Sequence, residues 1–503
     1  MAPPLHTSPP RPAVAAPPLL LLLLLLPALA SSVAPALPLS AAPGPGTWKL
    51  NVLDSARYPL AQCLDGSYGA FYVSAGTGAL ASTVVFHMQG ACATKASSSD
   101  APPAYALKSL ARAHPTRKPT RMPTCPRPPT TPSPHAAGGG WCTSIEDCYA
   151  RATKPVYAGE PSIGSSAAWG AGPCTPDTLA TTPPCTADGG SGGLLSLDPT
   201  VNPLSGSTRV WLGYCDGGGF AGDVDAPVPY NSSVNLYFRG KRILEAIVDT
   251  LQNDFGLAAA EAVVVSGCSA GGNAAFFMAD HIASLVHARN ASTRVVAAPG
   301  AGFFLDTTSY GGANNVEAMY KFVFDSMNVI TSVKASCVAA IAPRDPSLCM
   351  IPPVFLPFIG VPLFVSNSLT DAAQLSWIMA LPCTPSSGGC NASELAYVDN
   401  YRSLMIDALQ PVLNSGGRHG AWLVSCEVHM VQDVDGAWTN ITVAGVPSGR
   451  PLLQRDAFSA WFFGTGAADV VGIDAPWTQG GGVHGGNAAC GNYGPVPSSP
   501  GGG

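Results

Sequence analysis

Ser269 lies in Gly267-Cys268-Ser269-Ala270-Gly271-Gly272, between the apolar run Ala262 to Val265 and the helix-like stretch Asn273 to Val286. A G-x-S-x-G sequence at a strand-to-helix junction is the setting of a nucleophile elbow, whose sharp turn lifts the serine hydroxyl clear of the sheet edge. Small residues are needed because bulky side chains would block the turn. The competing reading is a glycine-rich helix start with Ser269 as an ordinary N-cap. In a chain with 55 glycines the motif alone decides little, and it is the strand before and the helix after that favour the elbow.

A serine hydroxyl is a weak nucleophile at neutral pH. It needs a histidine base, and the base needs an acid to fix its tautomer. In this type of fold both partners follow the serine, acid first. The downstream histidines are His281, His287, His419, His429 and His484. The first two fall on the helix that leaves the elbow, and His484 sits in a Gly-rich tail. His419 and His429 flank the expected strand Trp422 to Ser425, and His429 is at its carboxyl end, where active residues collect. For the acid, Asp371 follows the apolar run Val361 to Asn367; Asp306, in Phe303-Phe304-Leu305-Asp306, competes with it. An oxyanion hole needs converging amides. Ala270, after the serine, offers one, and the loop Gly138-Gly139-Gly140-Trp141-Cys142 is of the type that supplies others, although a glycine run is otherwise flexible linker.

These residues must be positioned by a regular scaffold. Ser82 to Met88, Thr208 to Tyr214, Ala262 to Ser266 and Val361 to Asn367 read as strands, with helices expected over Leu236 to Asn253 and Asn273 to Val286. Such alternation predicts an α/β fold, a mostly parallel sheet flanked by helices in a single catalytic domain. Apolar residues at Leu236, Ile243, Ala246, Ile247 and Leu251 mark a packing helix.

Of the 503 residues, 47% are hydrophobic and only 11% charged, and the net charge is −6. No basic block surrounds aromatic residues, which argues against nucleic-acid binding. Arg11, the leucines Leu19 to Leu26 and the small-residue site Ala28-Leu29-Ala30 predict a secretory signal peptide over 1–30, with no stable membrane insertion after cleavage. The mature chain is expected to be secreted, extracellular or in the cell wall, with the vacuole an alternative. Sequons at Asn231, Asn290, Asn391 and Asn440 fit that route, as do 15 cysteines. Cys142 with Cys148, and Cys383 with Cys390, are near enough to close short loops, and Cys174 with Cys185 could close another. Without C-x-x-C or H-x-x-x-H, no metal and no cofactor are expected. Segments 91–137, 172–193 and 480–503 are rich in Pro, Gly, Ser or Thr and read as insertions and a tail with little to bury. The 49 prolines and 55 glycines would also suit a wall or matrix protein, but they concentrate in these segments and at the ends.

Taken in order, Cys63-Leu64-Asp65-Gly66-Ser67, Gly138 to Cys142, Tyr214 to Gly217 with Phe220 to Asp223, Leu236 to Gly240, Gly267 to Gly272 and Ala301 to Asp306 resemble successive blocks of the pectin acetylesterase family. That family also contains the Notum carboxylesterases. The resemblance runs from about Cys63 to Phe463 and implies an α/β-hydrolase-like fold and metal-free carboxylic ester hydrolysis. It places the nucleophile on Ser269. The acid falls on Asp371, where Asn367 to Gln374 is similar to N-x-x-x-D-x-x-Q, and the base on His429, where Ser425 to His429 is similar to S-C-x-x-H. The oxyanion amides fall on Gly139, Gly140, Trp141 and Ala270. The implied substrate is an O-acetyl ester of pectin or another cell-wall polysaccharide; alternatives are a lipidated protein, as for Notum, or a silent secreted binding protein. Two departures stand out. The segment 91–137 separates His87-Met88-Gln89-Gly90 from the glycine loop, and Met430 and Val431 stand where the plant pattern has Cys and Gln, which implies the loss of one family disulfide. The expected organisation is a signal peptide at 1–30, a linker at 31–62, a catalytic domain at 63–470 with insertions at 91–137 and 172–193, and a tail at 471–503.

Overall fold

The computed structural model describes residues 47–90, 140–154, 162–167, 169, 192–387, 389–465, 469–475, 487 and 489–490. The expected signal peptide, the segment 91–137, Gly138, Gly139, His484 and the Cys174 and Cys185 loop lie outside the described residues.

Thirteen strands are described: β1 (Lys49–Val52), β2 (Ala70–Ser74), β3 (Thr83–Met88), β4 (Thr208–Leu212), β5 (Val228–Pro229), β6 (Asn235–Leu236), β7 (Ala262–Cys268), β8 (Arg294–Gly300), β9 (Phe364–Ser368), β10 (Gly420–Val424), β11 (Thr442–Val446), β12 (Pro451–Leu453) and β13 (Val471–Ile473). Eleven of them form one sheet in the order β1-β2-β4-β3-β7-β8-β9-β10-β13-β11-β12, and β5 and β6 make a separate hairpin. The centre, from β4 through β13, is parallel. Antiparallel pairs finish both edges. The order steps outward from β3 and β7, which puts the carboxyl ends of β3, β7, β8, β9 and β10 side by side.

Both sheet faces are covered. Val84 and Phe86 of β3, Val210 and Leu212 of β4, and Val263 and Val265 of β7 enter one apolar core; their alternates Val85, Trp211 and Val264 enter a second core on the opposite face. Side chains alternate across a strand, so burial on both faces turns the sequence into continuous apolar runs. Helices α1 (Ile145–Thr153), α2 (Gly240–Asp254), α3 (Ala270–Phe277) and α5 (Asn315–Ser326) follow strands on the chain, and α4 (Ala279–His287) continues from α3.

The expected strands are present within one to three residues at each end. The helix expected from Leu236 begins only at Gly240, because Leu236 pairs with Val228 in the small hairpin and the Tyr237 amide donates to Leu64 O at 3.1 Å. The stretch Asn273 to Val286 is two helices broken at Met278. Strand β8 went unassigned in the sequence, although it carries one of the loops at the site. Five disulfides are described: Cys63–Cys215, Cys142–Cys148, Cys337–Cys349, Cys383–Cys390 and Cys426–Cys490. Two are the short-range pairs expected from spacing. Among the described residues no helix is long and apolar enough to cross a membrane.

Candidate active site

Ser269 occupies the single residue between β7 and α3, with φ 57° and ψ −124°. A non-glycine residue rarely adopts this backbone, and such strain persists where the surroundings enforce it. No side-chain cap bond is made by Ser269, so the ordinary N-cap reading fails. The turn is enforced by close backbone packing. A Cβ on Gly271 would sit 2.0 Å from Met88 O, one on Gly90 1.7 Å from Cys268 O, and one on Gly267 2.3 Å from Gly271 O. The Ser269 amide donates to Gly300 O of β8 at 3.1 Å, which pins the elbow to the next strand. Ala301 and Met430, which follow β8 and β10, also have positive φ, 46° and 59°, and pack with Cys268.

Asp371 follows β9 and His429 follows β10. These strands are parallel neighbours in register from Gly420 and Phe364 to Val424 and Ser368. His429 Nδ1 lies 2.8 Å from Asp371 Oδ2 and 3.0 Å from Oδ1. The Asp371 side chain is fully buried and also accepts the Gln374 amide at 3.0 Å, whereas His429 keeps partial exposure. A carboxylate held at Nδ1 leaves Nε2 as the nitrogen that can exchange a proton with a hydroxyl.

Gln374 links this acid to the neighbouring loop. Its Nε2 donates to Phe303 O at 3.1 Å, and its Oε1 accepts from the Leu305 amide at 3.1 Å and from the Tyr401 hydroxyl at 2.7 Å. Asp306, the competing acid, stands on that loop and not against His429; burial, reinforced by Glu317, pushes its carboxyl up from the ordinary range.

Gly140 has φ +68°, a conformation that favours glycine, and its carbonyl accepts the Tyr214 hydroxyl at 2.6 Å. Trp141 is buried and meets Phe304 and Tyr320 edge-on, at 5.0 and 5.1 Å between ring centroids. Below it the loop is held from several sides. The Cys142 amide donates to Gly217 O, Cys142 is bonded to Cys148 of α1, and Ser144 caps α1 through the Asp147 amide. Ala270 is the first residue of α3, whose opening amides have no acceptor within the helix.

The remaining histidines lie elsewhere. His281 meets Glu245 at 2.9 Å and His287 meets Thr293 O at 2.9 Å, both on α4. His419 precedes β10, at the opposite end from His429; its Nδ1 accepts the Leu363 amide at 3.0 Å, and burial pushes it down to about 4.

A second buried polar group under the elbow was missed in the sequence. His87 stacks on Trp211, its Nδ1 is 3.3 Å from Ser266 Oγ, and its Nε2 is 3.7 Å from Asp433 Oδ2. Burial pushes His87 down to about 3 and Asp433 up to about 7, so at moderately acid pH the two face each other uncharged. Gln432 donates through Nε2 to Ser266 Oγ and Ala298 O, both at 2.7 Å. Only the family-like run through Gln374 hinted at any of these supports. Asp433 has no signal in the sequence, since its burial rests on residues distant along the chain, His87 of β3 and Cys268 of β7.

Comparison with known proteins agrees with this architecture. The Pectinacetylesterase family model matches residues 135–483. Pectin acetylesterase 7 of Arabidopsis thaliana is 28% identical over 354 residues, covering 68% of this chain and 81% of the relative. Pectin acetylesterase 11 of the same plant is 28% identical over 340 residues, covering 65% and 78%.

Proposed function

The chain belongs to the pectinacetylesterase family, and from that premise we propose that it is a secreted serine carboxylesterase that removes O-acetyl groups from pectin or a related cell-wall polysaccharide. In this reading Ser269 is the nucleophile, His429 the base and Asp371 the acid that orients it. His429 takes the Ser269 proton through Nε2 as Oγ attacks the ester carbonyl. The amides of Gly140, Trp141 and Ala270 hold the oxygen that becomes negative. Collapse of the tetrahedral adduct expels the sugar hydroxyl, which receives its proton from His429. Water, activated by the same imidazole, then attacks the acetyl-serine and releases acetate. Asp371 stabilises the imidazolium across the Nδ1 contact.

The observation that carries the proposal is the 2.8 Å contact between His429 Nδ1 and Asp371 on adjacent strands, next to the strained Ser269 turn. Secretion is supported by the leader composition and by five disulfides, which persist in oxidising compartments. The test is acetate release from acetylated pectin by the wild type and by Ser269→Ala. Release that survives the substitution would overturn the mechanism, and release only from a fatty-acylated peptide would redirect the substrate to a lipidated protein.

A further inference from the structure

The mechanism leaves unused the loop that follows β8 and the turn that follows Asp371. That turn, Gln374–Ile378, is a single π-helical segment. Such one-turn segments recur at functional sites. It places Trp377 at the surface, 51% exposed, and the β8 loop does the same with Tyr310, 37% exposed. The two pieces are fastened together: the Tyr310 amide donates to Met379 O at 2.8 Å, and Asn315 Nδ2 donates to Ile378 O at 2.6 Å. Tyr310 is braced from behind by Tyr397, edge-on at 5.6 Å, whose hydroxyl donates to Thr308 O at 2.8 Å. The Tyr310 ring is therefore braced, and the backbone that carries Trp377 is tied to the same frame. On the same frame, the half-buried Asp306 carboxyl takes a side-chain hydrogen bond from Asn314, while its Oδ1 has no hydrogen-bond partner among the described residues. A buried acceptor without a donor carries a desolvation cost that an incoming hydroxyl relieves.

Exposed aromatic rings on tied segments, with an acceptor oxygen that lacks a donor on the same loop as one of them, match a pyranose ring. One face of the ring is a patch of C–H groups, and its rim is a row of hydroxyl donors. We propose that Asp306, Tyr310 and Trp377 form a sugar-binding subsite, which holds the polysaccharide chain beside the acetylated residue presented to Ser269. The inference rests on the polysaccharide reading above. Gln374 joins the subsite to the chemistry, since one side chain contacts Phe303 O and the Leu305 amide while its own amide bonds Asp371.

The experiment uses two readouts. First, full-length Ser269→Ala protein, which cannot turn substrate over, is titrated with de-esterified and with acetylated pectin oligosaccharides by calorimetry and tryptophan fluorescence. Adding Trp377→Ala, Tyr310→Ala or Asp306→Asn should weaken binding of both ligands about tenfold. Trp377→Phe should restore most of it, which a folding defect would not allow. Second, in the active protein each substitution should lower the ratio of kcat/KM on acetylated pectin to kcat/KM on p-nitrophenyl acetate about tenfold, through KM. Oligosaccharide binding that is indifferent to all three substitutions, or an unchanged ratio, would overturn the subsite. Tight, Trp377-dependent sugar binding by a protein that releases no acetate would sustain the subsite and sink the esterase reading instead.

Discussion

His429 Nδ1 faces both carboxylate oxygens of Asp371, at 2.8 and 3.0 Å, and the same carboxylate is fixed from the other side by the Gln374 amide. An amide in its place would turn an N–H toward the ring and favour the wrong tautomer. Asp371→Asn should therefore lower kcat on p-nitrophenyl acetate by about 10³- to 10⁴-fold. The loss at Asp306→Asn should be far smaller on that substrate, because Asp306 sits on another loop. Steady-state kinetics of the two variants decide between them, and a larger loss at Asp306 would remove Asp371 from the acid role.

His419 gives a stability prediction with a definite sign. Its neutral Nδ1 accepts an amide in the folded protein, so folding holds it down to about 4 from an ordinary 6.5. Below pH 6.5 the unfolded chain gains a proton that the folded chain refuses. The stability contributed by His419 is thus complete above that pH and is lost as pH falls toward 4. His419→Gln should lower Tm at neutral pH and flatten the decline in Tm across this window. Parallel Tm profiles for the two proteins would refute the assignment, and ester hydrolysis should survive the change.

Glycines can be ranked by what a methyl group would meet. Gly271→Ala forces a Cβ to within 2.0 Å of Met88 O, backbone against backbone. It should destabilise the protein by about 3 kcal/mol or more, and any folded fraction should have a displaced elbow and little activity. Gly311→Ala meets nothing within 4 Å and should stay within about 0.5 kcal/mol of wild type. Denaturant melts of both variants measure this directly.

The segment 91–137 has a composition with little to bury, and it separates the strand of His87 from the glycine loop. Joining Gly90 to Gly138 should leave p-nitrophenyl acetate hydrolysis intact or raise it. A folded deletion variant without activity would make the segment part of the site.

Much of the candidate site could be proposed from the sequence because its residues lie in short local runs. The Gly267 to Gly272 run announces the elbow through the steric demands of a turn, and the strand ends before Asp371 and His429 follow from apolar runs. What was hidden depends on contacts between distant segments. Leu236 looked helical by spacing, yet it pairs with Val228, because a strand partner outweighs weak local preference. Asp433 carries no mark in the sequence, and its side chain is buried against His87 of β3 and Cys268 of β7. Trp377 and Tyr310 are 67 positions apart, and nothing short of the folded loops shows that they share one frame.

Ser269 and Ala301 hold positive φ where the chain leaves β7 and β8, and Met430 does so in the loop after β10, while the sheet beneath them is buried on both faces. Strained turns relax more readily than core strands. On heating, the catalyst should therefore age from its rim inward: ester hydrolysis should decay before far-ultraviolet circular dichroism changes, and should return on cooling as long as the sheet has not opened. The working life of such an enzyme would be set by three residues rather than by the melting of the whole chain.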